Sequence, residues 1–407
     1  MRQPVHTVFG GAHLFRSGVV ERFRTLALES FATYAPDAAT LGRIAGIEPG
    51  ALADAVYSRV HEKLVREPIE DYRIDFEDGY GIRADAEEDG HAVAAAKEVA
   101  AAMAADVLPW RTGIRVKSFL PSERDRSLRT LGLFLSTLVG EAGRLPRNFV
   151  VNLPKVSTVE EVEGFTAALE TFENGLALDE GAIRSEIMIE SPQIVLGADG
   201  RSPLSLLAEA GGERLTGAIF GAYDFTASLG ITAAHQSLRH ASCDFARNMM
   251  LTAFAGSHVQ LSDGATATLP VPLHTPTPRA GLTPAQREEN TASVHAAWTL
   301  HCGNIRHAMT NGFYQGWDLH PAQLISRYAA TFAFFREGLD AAGARLKNFA
   351  AKQEQATRVG SAFDDAATGR GLVNYFERAV NSGAITEAEA RERGGKAVAV
   401  SAPRPTP

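Results

Sequence analysis

The sequence predicts an α/β fold: a (β/α)8 TIM barrel with helical additions and a C-terminal helical extension. Three observations lead there. Short apolar segments of strand length alternate with long Ala- and Leu-rich segments of helix length along most of the 407 residues, the pattern of a parallel sheet with helices outside it. Seven strand segments precede residue 262 and an eighth lies near Gly316–Leu319, and eight strand–helix units make a closed barrel. Most strand segments also run out into a carboxylate or a cation where a loop begins, the end at which a parallel barrel builds its site.

Taken in order, His6–Phe9 reads as the first strand, ended by Gly10-Gly11, and Phe15–Ala35 and Leu52–Glu67 read as helices. Tyr72–Phe76 is the second strand, ahead of the acidic turn Glu77-Asp78-Gly79. Ala84–Val107 is Ala-rich, lacks Pro and carries its charges on one face, which predicts a helix. Gly113–Phe119 is a strand and Ser127–Val139 a helix; Asn148–Leu153 is a buried strand. Ser157 with Glu160 three residues on predicts a capping box for the helix Ser157–Asn174. Glu186–Ile189, Leu215–Phe220 and His258–Leu261 are strands, with helices over Pro203–Ala210, Cys243–Ala255 and Asn290–Thr310.

Lys and Arg number 40 against 48 Asp and Glu, a net charge of −8, so a basic footprint for nucleic acid is absent and no nucleic-acid partner is expected. Two cysteines, Cys243 and Cys302, cannot staple a fold or build a Cys-rich metal site. No apolar run reaches the roughly 18 residues of a membrane span, and the first residues lack the apolar core of a signal peptide. A cytoplasmic protein with no membrane partner is expected.

The expected organisation is one barrel domain over 1–345, with insertions at about 16–70 and 263–286, followed by a helical extension over 346–407 that ends in a disordered Ser401–Pro407. The 263–286 stretch carries five prolines and little periodicity, and loops of that length in compact domains are usually functional. The surplus length reads as lid and assembly apparatus around one site.

The strand ends supply the candidate residues. Glu190 follows the apolar run Ile187-Met188-Ile189, and Asp224 follows Ala218-Ile219-Phe220. A carboxylate in such a place is costly unless it pairs or binds metal, and adjacent strand ends bring two of them near enough to share one hard cation, Mg2+ or Mn2+. Arg115 offers a planar fork to a carboxylate or enolate oxygen, so a metal at Glu190 and Asp224 together with Arg115 would stabilise an enolate. Of the acidic trio Asp75, Glu77 and Asp78, Asp75 and Asp78 are the candidates to orient Arg115 or touch the metal's water shell. Lys155, after Pro154, reads as an ion-pair or substrate-binding group, with a Schiff-base lysine as the alternative. Asp263 precedes Gly264 and reads as a turn residue, His320 as a cap, and His13 as an acid/base candidate. His235 and His240 read as solvated, and Cys243 as a packed thiol.

The ordered motifs Asp75-Phe76-Glu77-Asp78, Ile114-Arg115-Val116, Leu153-Pro154-Lys155-Val156, Met188-Ile189-Glu190-Ser191, Gly221-Ala222-Tyr223-Asp224, Ser262-Asp263-Gly264 and His320-Pro321-Ala322-Gln323 resemble the HpcH/HpaI aldolase and citrate lyase β-subunit superfamily, from about His6 to Gln323. The first strand departs from the pattern: Val8–Arg16 lacks the proline of the citrate-lyase-like members. The resemblance implies a phosphoenolpyruvate/pyruvate-type barrel with Mg2+ on Glu190 and Asp224 and substrate oxygens on Arg115. It implies carbon–carbon cleavage in a 2-oxo acid or an acyl-CoA ester, and a homo-oligomer, trimer or hexamer. The expected function is a Mg2+-dependent carbon–carbon lyase of aldolase or Claisen type. The alternatives are a CoA-thioester lyase or hydrolase of the citryl/malyl type, or a non-catalytic subunit that binds metal and dicarboxylate.

Overall fold

Eight parallel strands close into a barrel in the computed structural model, which describes residues 2–276, 281–359 and 366–395. The strands are β1 (His6–Gly11), β2 (Asp71–Asp75), β3 (Arg111–Arg115), β4 (Val150–Leu153), β5 (Arg184–Ile189), β6 (Leu215–Phe220), β7 (Gln260–Ala265) and β8 (Gln315–Asp318). Each pairs with the next in sequence, and β8 returns to β1 with Gly316 beside His6. The α/β barrel expected from the alternation is therefore the architecture observed.

Around it run α1 (Val19–Tyr34), α2 (Ala38–Ala45), α3 (Ala51–Arg66), α4 (Asp85–Ala104), α5 (Arg124–Ala142), α6 (Val159–Gly175), α7 (Pro192–Val195), α8 (Leu204–Gly211), α9 (Ala222–Ser228), α10 (Ala241–Ala253), α11 (Pro284–Thr310) and α12 (Gln323–Glu337). The C-terminal extension adds α13 (Leu339–Val359), α14 (Ala366–Asn381) and α15 (Glu387–Gly394). The capping box of α6 lies one residue beyond the expected one: Thr158 accepts from Glu161 N, and Glu161 caps back. A second box, Thr283 with Gln286, starts α11 ahead of the expected Asn290. Strand β7 runs on through Asp263 and Gly264, which corrects their reading as a turn and moves the start of the 263–286 insertion to after Ala265.

The barrel interior is layered. At the N-terminal end, Arg73 of β2 and Arg111 of β3 both reach Glu186 of β5 at 2.7 Å. Since β5 neighbours neither strand, this network crosses the interior; Arg73 also pairs with Asp71, which accepts from Thr7 Oγ1 at 3.0 Å. Above it lies an apolar layer of Phe9, Met188, Ile219 and Trp317. Above that, toward the C-terminal ends of the strands, stand Asp75, Arg115 and Glu190.

The insertion at 16–70 holds α1, α2 and α3, which pack on α11 and α12. Residues 277–280 of the Pro-rich insertion lie outside the described residues; its described part is tied at Ala267 N to Tyr223 Oη (3.0 Å) and at His274 N and O to the Asn290 amide (2.8 and 2.9 Å). Helix α13 runs through the expected boundary at 345/346. Leu372, Phe376, Ala379 and Ile385 of the extension are buried in the same core as the barrel's helices. Glu389 of α15 pairs with Arg59 and Arg336 at 2.9 and 3.1 Å. The tail expected to be disordered, 401–407, lies outside the described residues. Among the described residues no helix is long and apolar enough to cross a membrane.

Candidate active site

Arg115, the last residue of β3, is buried, and its guanidinium is held edge-on by Asp75 at the end of β2. Arg115 Nε donates to Asp75 Oδ1 at 2.7 Å and Nη2 to Oδ2 at 2.6 Å. The same carboxylate accepts from Glu77 N (3.0 Å) and Gly79 N (2.8 Å). A side chain at Gly79 would collide with it, since a Cβ there would lie 2.5 Å from Asp75 Oδ2. With both oxygens of Asp75 engaged, its part is to fix Arg115. The third nitrogen, Nη1, faces Glu77 Oε2 at 3.1 Å and Met188 Sδ at 3.5 Å. Below, the Phe9 and Trp317 rings lie 5.0 and 5.2 Å from the Arg115 Cζ. Burial works against the guanidinium charge, and Asp75 outweighs it, so the cation is held above its ordinary pKa.

Glu190 follows the last residue of β5 and is buried, with its Oε1 accepting from Lys155 N at 2.6 Å. Among the described residues no Lys, Arg or His lies within ion-pair distance, 4.0 Å, of its carboxylate. Burial, then the negative charge of Asp224, push its carboxyl up to about 8; Arg115 and Lys155 pull the other way and do not offset this. Asp224 stands in the first turn of α9 beyond β6 and is partly exposed. Between them, a Cβ at Gly221 would lie 2.2 Å from Glu190 Oε2, so the Gly that opens the Gly221–Asp224 motif is a space requirement of the buried acid.

Lys155 binds the two halves together. Its Nζ contacts Glu77, reaches Asp78 Oδ1 at 3.1 Å and stands 4.0 Å from Asp224 Oδ1. Its backbone adopts φ 53°, left-handed for a non-glycine residue, which lets one residue give its N–H to Glu190 and its ammonium to the acidic turn. Burial lowers its basicity, but Glu77 and the other carboxylates more than restore it, and the pKa is raised. A permanently charged amine is a poor Schiff-base nucleophile, so the ion-pair alternative is the one the geometry favours. Asp78 is half-exposed, on Lys155 and 3.9 Å from Arg115 Nη1.

The remaining candidates fall elsewhere. Asp263 is buried against Arg247, with Nη1 on both its oxygens at 2.8 and 3.1 Å. His320 Nδ1 accepts from Ala322 N at 3.2 Å, a cap. His13 lies at the mouth by Tyr80 and His91, ring centroids 5.7 and 6.2 Å away; burial, then Arg83, lower its pKa. His235 is exposed, with Thr232 at 2.9 Å, and His240 caps α10 through Ser242 N. Burial pushes the Cys243 and Cys302 thiols up to about 12, which makes them unreactive.

Sequence reasoning missed the apolar floor of Phe9, Met188 and Trp317 under Arg115. A signal for the ionic layer beneath it was present: Asp71, Arg73 and Asp75 alternate, as do Arg111 and Arg115 around Gly113, and charges at period two on two neighbouring strands point to one face.

Among the described residues no group of three or more His, Cys, Asp or Glu side chains gathers as a metal cluster. The expected set is thus two carboxylates with the remaining positions left to water or substrate, an all-oxygen arrangement that suits Mg2+. Glu190 fits such a cation by its surroundings, being a buried acid beside a second acid with no ion-pair partner.

A structure comparison finds a citrate lyase from Burkholderia xenovorans LB400 at a TM-score of 0.55 and 16% identity, covering 84% of this chain and 93% of that one. It shows that the two share the barrel fold, in keeping with the resemblance carried by the motifs. Weaker likenesses include a Haloferax volcanii malate synthase (TM-score 0.49, 14% identity, 97% and 95% covered). Another is a Mycobacterium tuberculosis citrate lyase β subunit complexed with oxaloacetate and magnesium (TM-score 0.40, 17% identity, 81% and 96% covered). No curated protein sequence matches. A family model matches residues 1–402, and the chain accordingly belongs to the family described as a domain of unknown function, DUF6986.

Proposed function

We propose that the chain is a Mg2+-dependent carbon–carbon lyase that cleaves a 2-oxo acid or an acyl-thioester through an enolate, at the mouth formed by Arg115, Glu190 and Asp224. The observation that carries this reading is the contrast between two neighbouring buried groups. Arg115 is fully charged and rigidly aimed, whereas Glu190 is a buried acid with Asp224 beside it and no ion pair. One of them suits an anionic substrate and the other a divalent cation.

Glu190 and Asp224 would hold the metal, Mg2+ or Mn2+. When bound, it supplies a Lewis acid that draws electron density from the carbonyl next to the bond to be cleaved. Arg115 binds the carboxylate or carbonyl oxygens of the substrate and stabilises negative charge on the enolate oxygen as the carbon–carbon bond breaks. Asp75 positions Arg115. Glu77 and Asp78 hold Lys155, whose ammonium contributes positive potential for the substrate. The apolar floor keeps water from beneath the guanidinium, so its charge acts in a low-dielectric setting. The overall charge of −8 gives no general attraction for an anion, so binding rests on these local cations. We further propose a cytoplasmic homo-oligomer in which the extension from α13 onward takes part in assembly.

The test is a retro-aldol assay on a panel of 4-hydroxy-2-oxo acids and on malyl- and citryl-CoA, with Mg2+ and then EDTA. Turnover that needs Mg2+ and disappears in Glu190→Gln is expected. No metal-dependent turnover across the panel overturns the lyase reading; turnover of the thioesters alone narrows the substrate to them.

A further inference from the structure

At the opposite end of the barrel from the mouth, a cleft of about 390 Å3 opens between the segments that lead into β1, β7 and β8 and the helix α14. Gln3, His258, Gln260, Asn374, Arg378 and Asn381 contribute its polar lining. Asn374, Arg378 and Asn381 follow one another at i, i+4 and i+7 along α14, which puts all three on one helix face.

Arg378 differs from the arginines buried in the barrel, and among the described residues it shares with the partly buried Arg184 the lack of a carboxylate partner. Arg2, Arg73, Arg111, Arg115, Arg214, Arg247 and Arg327 each have a carboxylate within ion-pair distance. Among the described residues Arg378 has none. Its Nη1 donates to the neutral Gln3 Oε1 at 3.0 Å, and its Cζ lies 4.0 Å from the centroid of the Tyr314 ring. Glu377 lines the same cleft and acts on it through its charge, without an ion pair. Burial lowers its pKa, and Tyr314 and Glu377 do not restore it. A second polar group nearby is also incomplete: Gln260 Oε1 is buried with no hydrogen-bond partner.

A half-buried guanidinium without a counter-charge is costly, and a planar fork of this kind is suited to bidentate contact with an oxyanion. We propose that the cleft between α14 and the N-terminal face of the barrel is a second ligand site. It would take a small oxyanion, a phosphate or carboxylate group, on Arg378, with the amides of Asn374 and Asn381 as further donors. An anion there joins a helix of the extension to the barrel, so its binding stiffens α14 without touching the mouth.

The experiment titrates the full chain with inorganic phosphate and, separately, with malate. Calorimetry reads affinity and hydrogen exchange reads α14, against chloride at matched ionic strength. Saturable binding of one or both is expected, with slower exchange over 369–381. Arg378→Gln should weaken it about 10-fold or more, the size of a lost charge-assisted contact. Asn381→Asp keeps the Arg378–Tyr314 packing, supplies an internal counter-charge and should weaken binding similarly, so a folding defect in the first variant does not decide the matter. Binding of phosphate that both variants leave intact, or no saturable binding of either probe by the wild type, overturns the proposal. Malate bound at the mouth instead would persist in both variants and be lost in Arg115→Lys.

Discussion

Asp75 holds Arg115 by two parallel hydrogen bonds of 2.7 and 2.6 Å and spends its remaining capacity on the backbone of its own turn, at Glu77 N and Gly79 N. The arginine is therefore locked to the β2–α4 loop, with its remaining nitrogen, Nη1, facing Glu77 Oε2 at 3.1 Å. Asp75→Asn leaves a buried cation short of its counter-charge, and a loss of about 3 kcal/mol in unfolding free energy is expected. Asp75→Asn with Arg115→Gln should regain part of that stability and none of the turnover. Urea unfolding alongside the retro-aldol assay checks both; a double variant no more stable than Asp75→Asn would contradict the pairing.

Arg115→Lys keeps the charge and loses the fork. Lysine cannot span both Asp75 oxygens and still offer a planar edge to substrate. A fall of about 100-fold in kcat/KM is expected, the size of a lost oxyanion donor. A KM and kcat within about 3-fold of wild type would show that the fork has no part in binding or chemistry.

Lys155 carries a backbone strain that can be measured apart from its charge. At φ 53°, a side chain costs about 1 kcal/mol over glycine. Lys155→Gly should thus be more stable than Lys155→Ala by about that amount in urea unfolding, while both lose the ammonium and with it substrate affinity. Equal stability of the two would mean that the left-handed backbone relaxes in the variants.

The acid limb of stability should depend on Glu70. Burial pushes this carboxyl up, but Lys63 at 2.6 Å and Arg2 at 3.2 Å outweigh it and hold it at about 2. A carboxyl depressed in the folded state stabilises above its ordinary value near 4.5 and loses that contribution as pH falls toward 2, about 3 kcal/mol in all. Glu70→Gln should be less stable than wild type at pH 7 and show a shallower loss between pH 4.5 and 2 by thermal unfolding. Parallel curves for the two proteins would remove Glu70 from the acid response.

The barrel was legible in the sequence because its units repeat a strong local signal, an apolar strand followed by an Ala- and Leu-rich helix. The strand Leu215–Phe220 was placed to the residue. Boundaries slipped where two equivalent signals adjoin: Ser157 with Glu160 and Thr158 with Glu161 both fit a capping box, and only side-chain contact decides between them. Helix α2 was missed although Asp37 caps it through Thr40 N at 2.7 Å, because it is only eight residues long and carries Gly42 in its middle. Within the site, the strand-end position of Arg115, Glu190 and Asp224 could be read in one dimension. What Asp75 does could not be, since an acid at a strand end serves equally to ligate a metal or to clamp an arginine, and the choice rests on which strand lies next to it. The ion pair of Asp263 with Arg247 and the uncompensated Arg378 depend likewise on contacts between distant segments.

The most direct test is a crystal structure of the protein grown with Mn2+ and pyruvate, with anomalous scattering to locate the metal. Mn2+ on both Glu190 and Asp224, with the pyruvate carboxylate or oxo oxygen within hydrogen-bond distance of Arg115, is expected. Metal or pyruvate bound away from these three residues, or a mouth that takes up neither at saturating concentration, would contradict this reading.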